Sequence, residues 1–111
     1  MRRVVVTGIG AISPLGIGVE ANWSALMNGQ SGIGPITRFD ATDFPVKFAG
    51  EVKGFEVDQY VDKKESKKMD LFIHYAIAAA DMALADSGLQ IGEDNAERVG
   101  VGVGSGMGGL T

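Results

Sequence analysis

The amino-acid sequence predicts an α/β fold, and three observations predict it: a β-branched run near the N-terminus, a long alanine-rich helical pattern in the second half, and a valine–glycine alternation near the C-terminus. Read in order, the elements are strand, helix, strand, long helix, strand. That order belongs to folds in which parallel neighbours are joined by crossover helices. Val4 to Thr7 reads as a strand buried on both faces. Gly8, Gly10, Pro14, Gly16 and Gly18 then form a long glycine-rich turn. From Val19 the apolar positions Val19, Trp23, Leu26 and Met27 fall on one stripe of a short helix, which Gly29 ends and which is expected to pack on the first strand. Ser31 to Phe39 is loop and short strand. Phe48 to Lys53 alternates as a half-exposed strand does.

The long helix is expected to begin near Asp62. Met69, Ile73, Ile77, Ala80 and Leu84 keep helical spacing, and Gly88 supplies the stop before Leu89. Ala76, Ala78, Ala79, Ala80, Ala83 and Ala85 make it small on nearly every side, as suits an interior helix pressed against several neighbours. Val99, Val101 and Val103 alternate with glycines in a strand where another backbone comes close. No element that could cover this last strand follows within the 111 residues, so residues 1–111 read as the front portion of a larger protein.

Composition narrows the function. Hydrophobic residues make up 45% and charged residues 22%, interspersed, which excludes intrinsic disorder and fits one globular domain. A net charge of -4 argues against nucleic-acid binding, which needs clustered basic residues in excess. The absence of cysteine removes disulfides, thiolate metal sites and a cysteine nucleophile from these residues. The basic start and apolar run of residues 1–12 imitate a signal peptide, but Thr7, Gly8 and Gly10 interrupt the run. No stretch is long enough to be a transmembrane helix, so no membrane partner and a cytoplasmic location are expected.

Four features invite functional readings. Gly8-Ile9-Gly10 after a strand suggests a dinucleotide turn, but Ser13 stands where the third glycine belongs and the helix starts only near Val19. A small nucleotide-binding module is therefore the disfavoured alternative. His74, inside the long helix, reads as a polar-face residue paired with Asp70 one turn earlier, and no catalysis is assigned to it. Lys63, Lys64, Lys67 and Lys68 supply four of the 10 basic residues. Lys64, Lys67 and Lys68 share one side of a helix start, where cations oppose the macrodipole and an anionic partner would offset the cost. Solvation of a helix face is the plain alternative. Met107 lies in the run Gly104-Ser105-Gly106-Met107-Gly108-Gly109, where a core-filling role competes with a functional one.

Taken together, Val4-Val5-Val6-Thr7-Gly8-Ile9-Gly10, Ser13-Pro14-Leu15-Gly16, Ser31-Gly32-Ile33, Phe48-Ala49-Gly50, Lys68-Met69-Asp70, Asp86-Ser87-Gly88-Leu89 and Gly104 to Gly109 resemble the N-terminal part of the bacterial β-ketoacyl-acyl-carrier-protein synthases. The likeness is nearest the synthase II type, and synthase I and polyketide ketosynthases share much of it. The resemblance implies a thiolase-like fold of two similar α/β halves, with residues 1–111 the truncated beginning of the first. It implies a homodimer that condenses malonyl-carrier protein with acyl-carrier protein and needs no metal or nucleotide cofactor. The family's catalytic cysteine and two histidines would lie beyond Thr111, which leaves no catalytic residue in this chain. It also implies that Lys64, Lys67 and Lys68 dock acyl carrier protein and that Met107 gates the acyl pocket. A noncatalytic carrier-protein-binding piece is a further alternative.

Overall fold

Hydrogen bonds to two polar side chains organise residues 11–55, one of the two compact units into which the chain divides; the other joins residues 1–10 with 56–111. The structure is a computed structural model that describes residues 1–109. In residues 11–55 the elements are β1 Ile12–Ser13, β2 Gly16–Ile17, α1 Val19–Met27, β3 Ile33–Pro35 and β4 Phe48–Gly50. β1 and β2 form an antiparallel hairpin around Pro14-Leu15, with Ile12 opposite Ile17 and Ser13 opposite Gly16. Asn22, in the first turn of α1, donates from Nδ2 to the carbonyls of Gly16 and Gly18, each at 2.8 Å. Its Oδ1 accepts from Ser13 Oγ, which in turn accepts the N–H of Leu15 at 3.1 Å. One amide thus fastens the helix to the hairpin before it.

β3 pairs antiparallel with β4, Ile33 opposite Gly50 and Pro35 opposite Phe48. Beyond this ribbon Glu51 accepts the N–H of Thr37 at 3.1 Å and 3.2 Å, the hydroxyl of Thr37 at 2.7 Å and the N–H of Arg38 at 3.3 Å. The Thr37 hydroxyl holds the Glu51 carboxyl below its ordinary value of 4.5, with the two backbone N–H groups and the Arg38 charge adding to the effect. Thr42 does the same for Asp40 through its hydroxyl and its N–H. The apolar core here is small: among the described residues of this unit only Ala25 and Ala41 are buried.

The other unit contains two short helical turns, Val57–Gln59 and Ala96–Arg98, and two helices, α2 Lys63–Ser66 and α3 Leu71–Ser87. Its centre is the crossing of Gly8 to Gly10 over α3. A Cβ on Gly8 would overlap the carbonyl of Ala83 and come within 2.7 Å of Ser87 Cβ. A Cβ on Gly10 would overlap the carbonyl of Ala79 and lie 3.0 Å from the nitrogen of Ala83. Ala79, Ala83 and Ser87 recur every fourth residue, so they form one small-residue track along the helix. Asp86 accepts the N–H of Ile9 at 2.9 Å, between the two glycines.

Several expectations are corrected. Val4 to Thr7 and Val99 to Val103 form no strand, and Val4, Val6, Val101 and Val103 are exposed. A β-branched run becomes a strand only when a neighbour completes its hydrogen bonds, and neither run has such a neighbour among the described residues. Among the described residues both ladders are antiparallel, in place of the expected parallel one. Within its own unit α1 packs on the β1–β2 hairpin. The strand expected over Phe48 to Lys53 stops at Gly50.

The helix expected from Asp62 is broken. Asp70, at φ -74° and ψ 161°, leaves the helical region and starts α3 afresh, its carbonyl accepting the N–H of Ile73 at 3.0 Å. Nor is α3 covered on all sides, since only His74 and Ala78 are buried along it. Its end is as expected, with Gly88 left-handed at φ 65°.

Two outcomes test these contacts. Gly10→Val is expected to cost about 1–3 kcal/mol or more, because the helix backbone cannot yield to a branched side chain. Gly34→Ala, with open space around it, is expected to change thermal stability little, and thermal unfolding of both variants compares them. The depressed Glu51 carboxyl contributes stability that is present above pH 4.5 and is lost as pH falls through its lower folded value. Protection of the Thr37 amide, its exchange rate relative to that of an unstructured peptide at the same pH, is therefore expected to fall as pH drops below 4.5 in the wild type, and Glu51→Gln is expected to abolish that fall.

Candidate functional site

The break between α2 and α3 decides how the lysines are presented. After Ser66 the chain continues in tightened turns, Lys68 N–H to Glu65 O at 2.9 Å and Met69 N–H to Ser66 O at 3.3 Å. The i, i+3, i+4 spacing of Lys64, Lys67 and Lys68 therefore stays on one side, and all three are exposed. Lys63 pairs with Asp58 at 3.3 Å and Lys68 with Glu65 at 2.7 Å. The expected conflict with a helix macrodipole does not arise. A helix of four residues has almost no macrodipole, and two of the four ammonium groups already face carboxylates.

His74 is 8% exposed, and its Nε2 lies 2.9 Å from the carbonyl of Ser66, the last residue of α2. A carbonyl only accepts, so Nε2 carries the proton. The ring thus closes the end of α2 instead of pairing with Asp70 on an exposed face as expected. A buried ring bonded to main chain is poorly placed for acid–base work.

The glycine-rich segment is built against the start of α3. Ser105 Oγ accepts the N–H of Gly108 at 3.0 Å and closes a turn around Gly106 and Met107. Gly108 sits at φ 68°, and a Cβ there would lie 3.4 Å from Cζ of Phe72. A Cβ on Gly109 would overlap the carboxylate of Asp70 and lie 2.9 Å from Asp70 Cβ. Met107 is 76% exposed, so it does not fill a core among the described residues. Beside this segment Phe72, Ile73, Ala76, Ile77 and Ala80 of α3 face Val101, Val103 and Ser105 across an apolar groove of about 390 Å³.

Sequence reasoning missed the contacts of Asp86 and Asp70, the second of which was expected to pair with His74. Asp86 belongs to the piece Asp86-Ser87-Gly88-Leu89, but nothing local says that it accepts the N–H of Ile9, 77 residues earlier. Asp70 is next to Met69 in a piece already singled out, yet nothing local says that its partner lies 39 residues on, at Gly109. The Gly8–Gly10 turn meets the C-terminal half of α3 and no helix N-terminus, which removes the geometry that a pyrophosphate site requires. Among the described residues no cluster of His, Asp and Glu could hold a metal ion, and no helix is long and apolar enough to cross a membrane.

Comparison with known proteins points in one direction. A family model described as "Beta-ketoacyl synthase, N-terminal domain" matches residues 1–111. The chain is 60% identical over 109 residues to 3-oxoacyl-[acyl-carrier-protein] synthase 2 of Vibrio cholerae, covering 98% of this chain and 26% of that protein. It is 52% identical over 109 residues to the protein of the same name from Synechocystis, with the same two coverages. Among solved structures, the ishigamide ketosynthase/chain length factor superposes with a TM-score of 0.73 at 45% identity, over 80% of this chain and 22% of that one. The chain therefore spans about a quarter of the length of the curated relatives it matches. The ketosynthase likeness supports a thiolase-like fold.

Proposed function

The chain belongs to the β-ketoacyl synthase family, through that family's N-terminal domain, and we propose from this membership that the intact protein is a 3-oxoacyl-[acyl-carrier-protein] synthase of fatty-acid biosynthesis. The observation that carries the reading is the 60% identity, across 98% of this chain, to a synthase 2. The architecture that goes with it is an α/β thiolase-like fold of two similar halves, of which residues 1–111 supply the beginning of the first. The enzyme works as a homodimer in the cytoplasm.

In the reaction, a cysteine thiolate takes the acyl group from acyl-carrier protein and releases the carrier thiol. Malonyl-carrier protein loses CO2, and the resulting enolate carbon attacks the acyl thioester. The carbon–carbon bond forms as the cysteine thiolate leaves, which yields a 3-oxoacyl-carrier protein two carbons longer. A thiolate of low pKa and hydrogen-bond donors aimed at the developing oxyanions are what such chemistry requires. Residues 1–111 contain no cysteine, and their single histidine is bonded to main chain, so these residues alone have no condensing activity. Their part is recognition. Lys64, Lys67 and Lys68 meet the acidic carrier protein, and Met107 borders the acyl chain.

Assay of the intact protein with acyl- and malonyl-carrier protein tests the whole reading; no condensed product would refute it. Changing Lys64, Lys67 and Lys68 together to Glu is expected to raise the carrier-protein KM and reduce its salt dependence while leaving thermal stability unchanged. Exposed pairs contribute only about 0.2–1 kcal/mol each, and their effect falls on association. Unchanged KM and salt dependence would leave the lysines as a solvated face. Met107→Phe is expected to slow transfer of long acyl chains severalfold and to spare short primers, at about 0.8 kcal/mol per methylene excluded from an apolar lining. Equal losses for short and long primers would remove Met107 from chain-length selection.

A further inference from the structure

We propose that Asp70 is a positioning residue for the segment Gly104 to Gly109, and that through it the start of α3 sets which acyl chains the enzyme accepts. The inference rests on the reading above, in which Met107 borders the acyl chain.

Two independent observations converge on Asp70. The first is an unused cap. Asp70 stands at the N-cap of α3, where aspartate is among the most favoured residues because its carboxylate accepts an N–H of the first turn. Here the side chain makes no capping bond, although the backbone has the extended conformation that permits one. The second observation is where that side chain goes. It lies against Gly109 so closely that a single added carbon there would overlap the carboxylate and force it to move.

Phe72 supports the neighbouring residue from the same turn of the helix. Its ring lies where a Cβ on Gly108 would come within 3.4 Å of Cζ and 3.6 Å of Cε1. Ser105 Oγ fixes the other end of the turn through the N–H of Gly108. Met107 therefore projects from a turn held on both sides while its own side chain remains exposed. A short glycine-rich segment left to itself samples many conformations. A charged, half-buried side chain against Gly109, with an aromatic ring beside Gly108, restricts them and so sets where the methionine side chain begins. Displacing that turn would move Met107 relative to a bound chain, with the largest consequence for chains long enough to reach it.

The test uses the full-length synthase. Asp70→Asn keeps the shape and removes the charge, and it is expected to change the ratio of kcat/KM for long against short acyl primers by about threefold or more, with little loss of thermal stability. Gly109→Ala is expected to shift the same ratio, and Asp70→Ala placed on top of it to restore at least part of the shift by relieving the collision. Equal losses for long and short primers, or a double variant no better than Gly109→Ala, would overturn the proposal. If Asp70→Asn does not fold, Phe72→Leu carries the same expected ratio change and the same overturning result. Hydrogen exchange separates this inference from the reading beneath it. Should the wild type prove inactive in condensation, that reading fails, while faster exchange confined to residues 104–109 in Asp70→Asn still supports the positioning role and unchanged exchange there overturns it.

Discussion

The contact on which residues 1–10 and 56–111 depend is the seating of Gly8 and Gly10 on the small-residue track of α3. Main chain against main chain at that distance leaves no volume for a side chain on either glycine, and the helix meets them with alanine and serine. Dispersion gained at such a crossing is spread over many atom pairs, each worth about 0.1–0.2 kcal/mol, so its strength comes from the length of the contact. The Asp86 carboxylate supplies what dispersion cannot, a partner for the Ile9 N–H and hence a register. A shift of one residue would bring the side chain of Ile9 onto the alanines, and the crossing could not close.

Residues 11–55 solve the same problem with polar groups. Their strands are two or three residues long, too short for ladder hydrogen bonds to define by themselves. Asn22 and Glu51 add side-chain bonds to main-chain groups beside these short strands. Such bonds contribute only about 0.5–1.5 kcal/mol each, but they are directional, and direction is what a small apolar core cannot supply.

What was legible in the sequence was local. The pattern from Ile73 to Leu84 and the stop at Gly88 depend on helical spacing and on the left-handed conformation that glycine accepts, so α3 and its end were readable. The stripe of α1 and the stop at Gly29 were readable for the same reason. Val4 to Thr7 and Val99 to Val103 failed because a strand is a property of a pair, and β-propensity describes one member only. The break at Asp70 was hidden because aspartate inside a helical pattern looks the same as aspartate starting one. Of the site, the lysines and Met107 were visible as residue types, and their setting was not. His74 was placed with Asp70 on sequence spacing, whereas the carbonyl end of α2 claims it.

The crossing of Gly8–Gly10 over α3 also has a consequence in time. Ile9 and Asp86 are separated by 77 residues, so Ile9 is made well before its partner and must wait for it. At ribosomal rates of about 5–20 residues per second, the wait is on the order of 4–15 s. Throughout that interval Gly8 and Gly10 have no helix to seat on, and they follow an apolar, β-branched stretch of the kind that nascent-chain chaperones bind. A contact that closes so tightly in the finished fold therefore stands half-built for much of synthesis, because its two halves lie far apart in sequence.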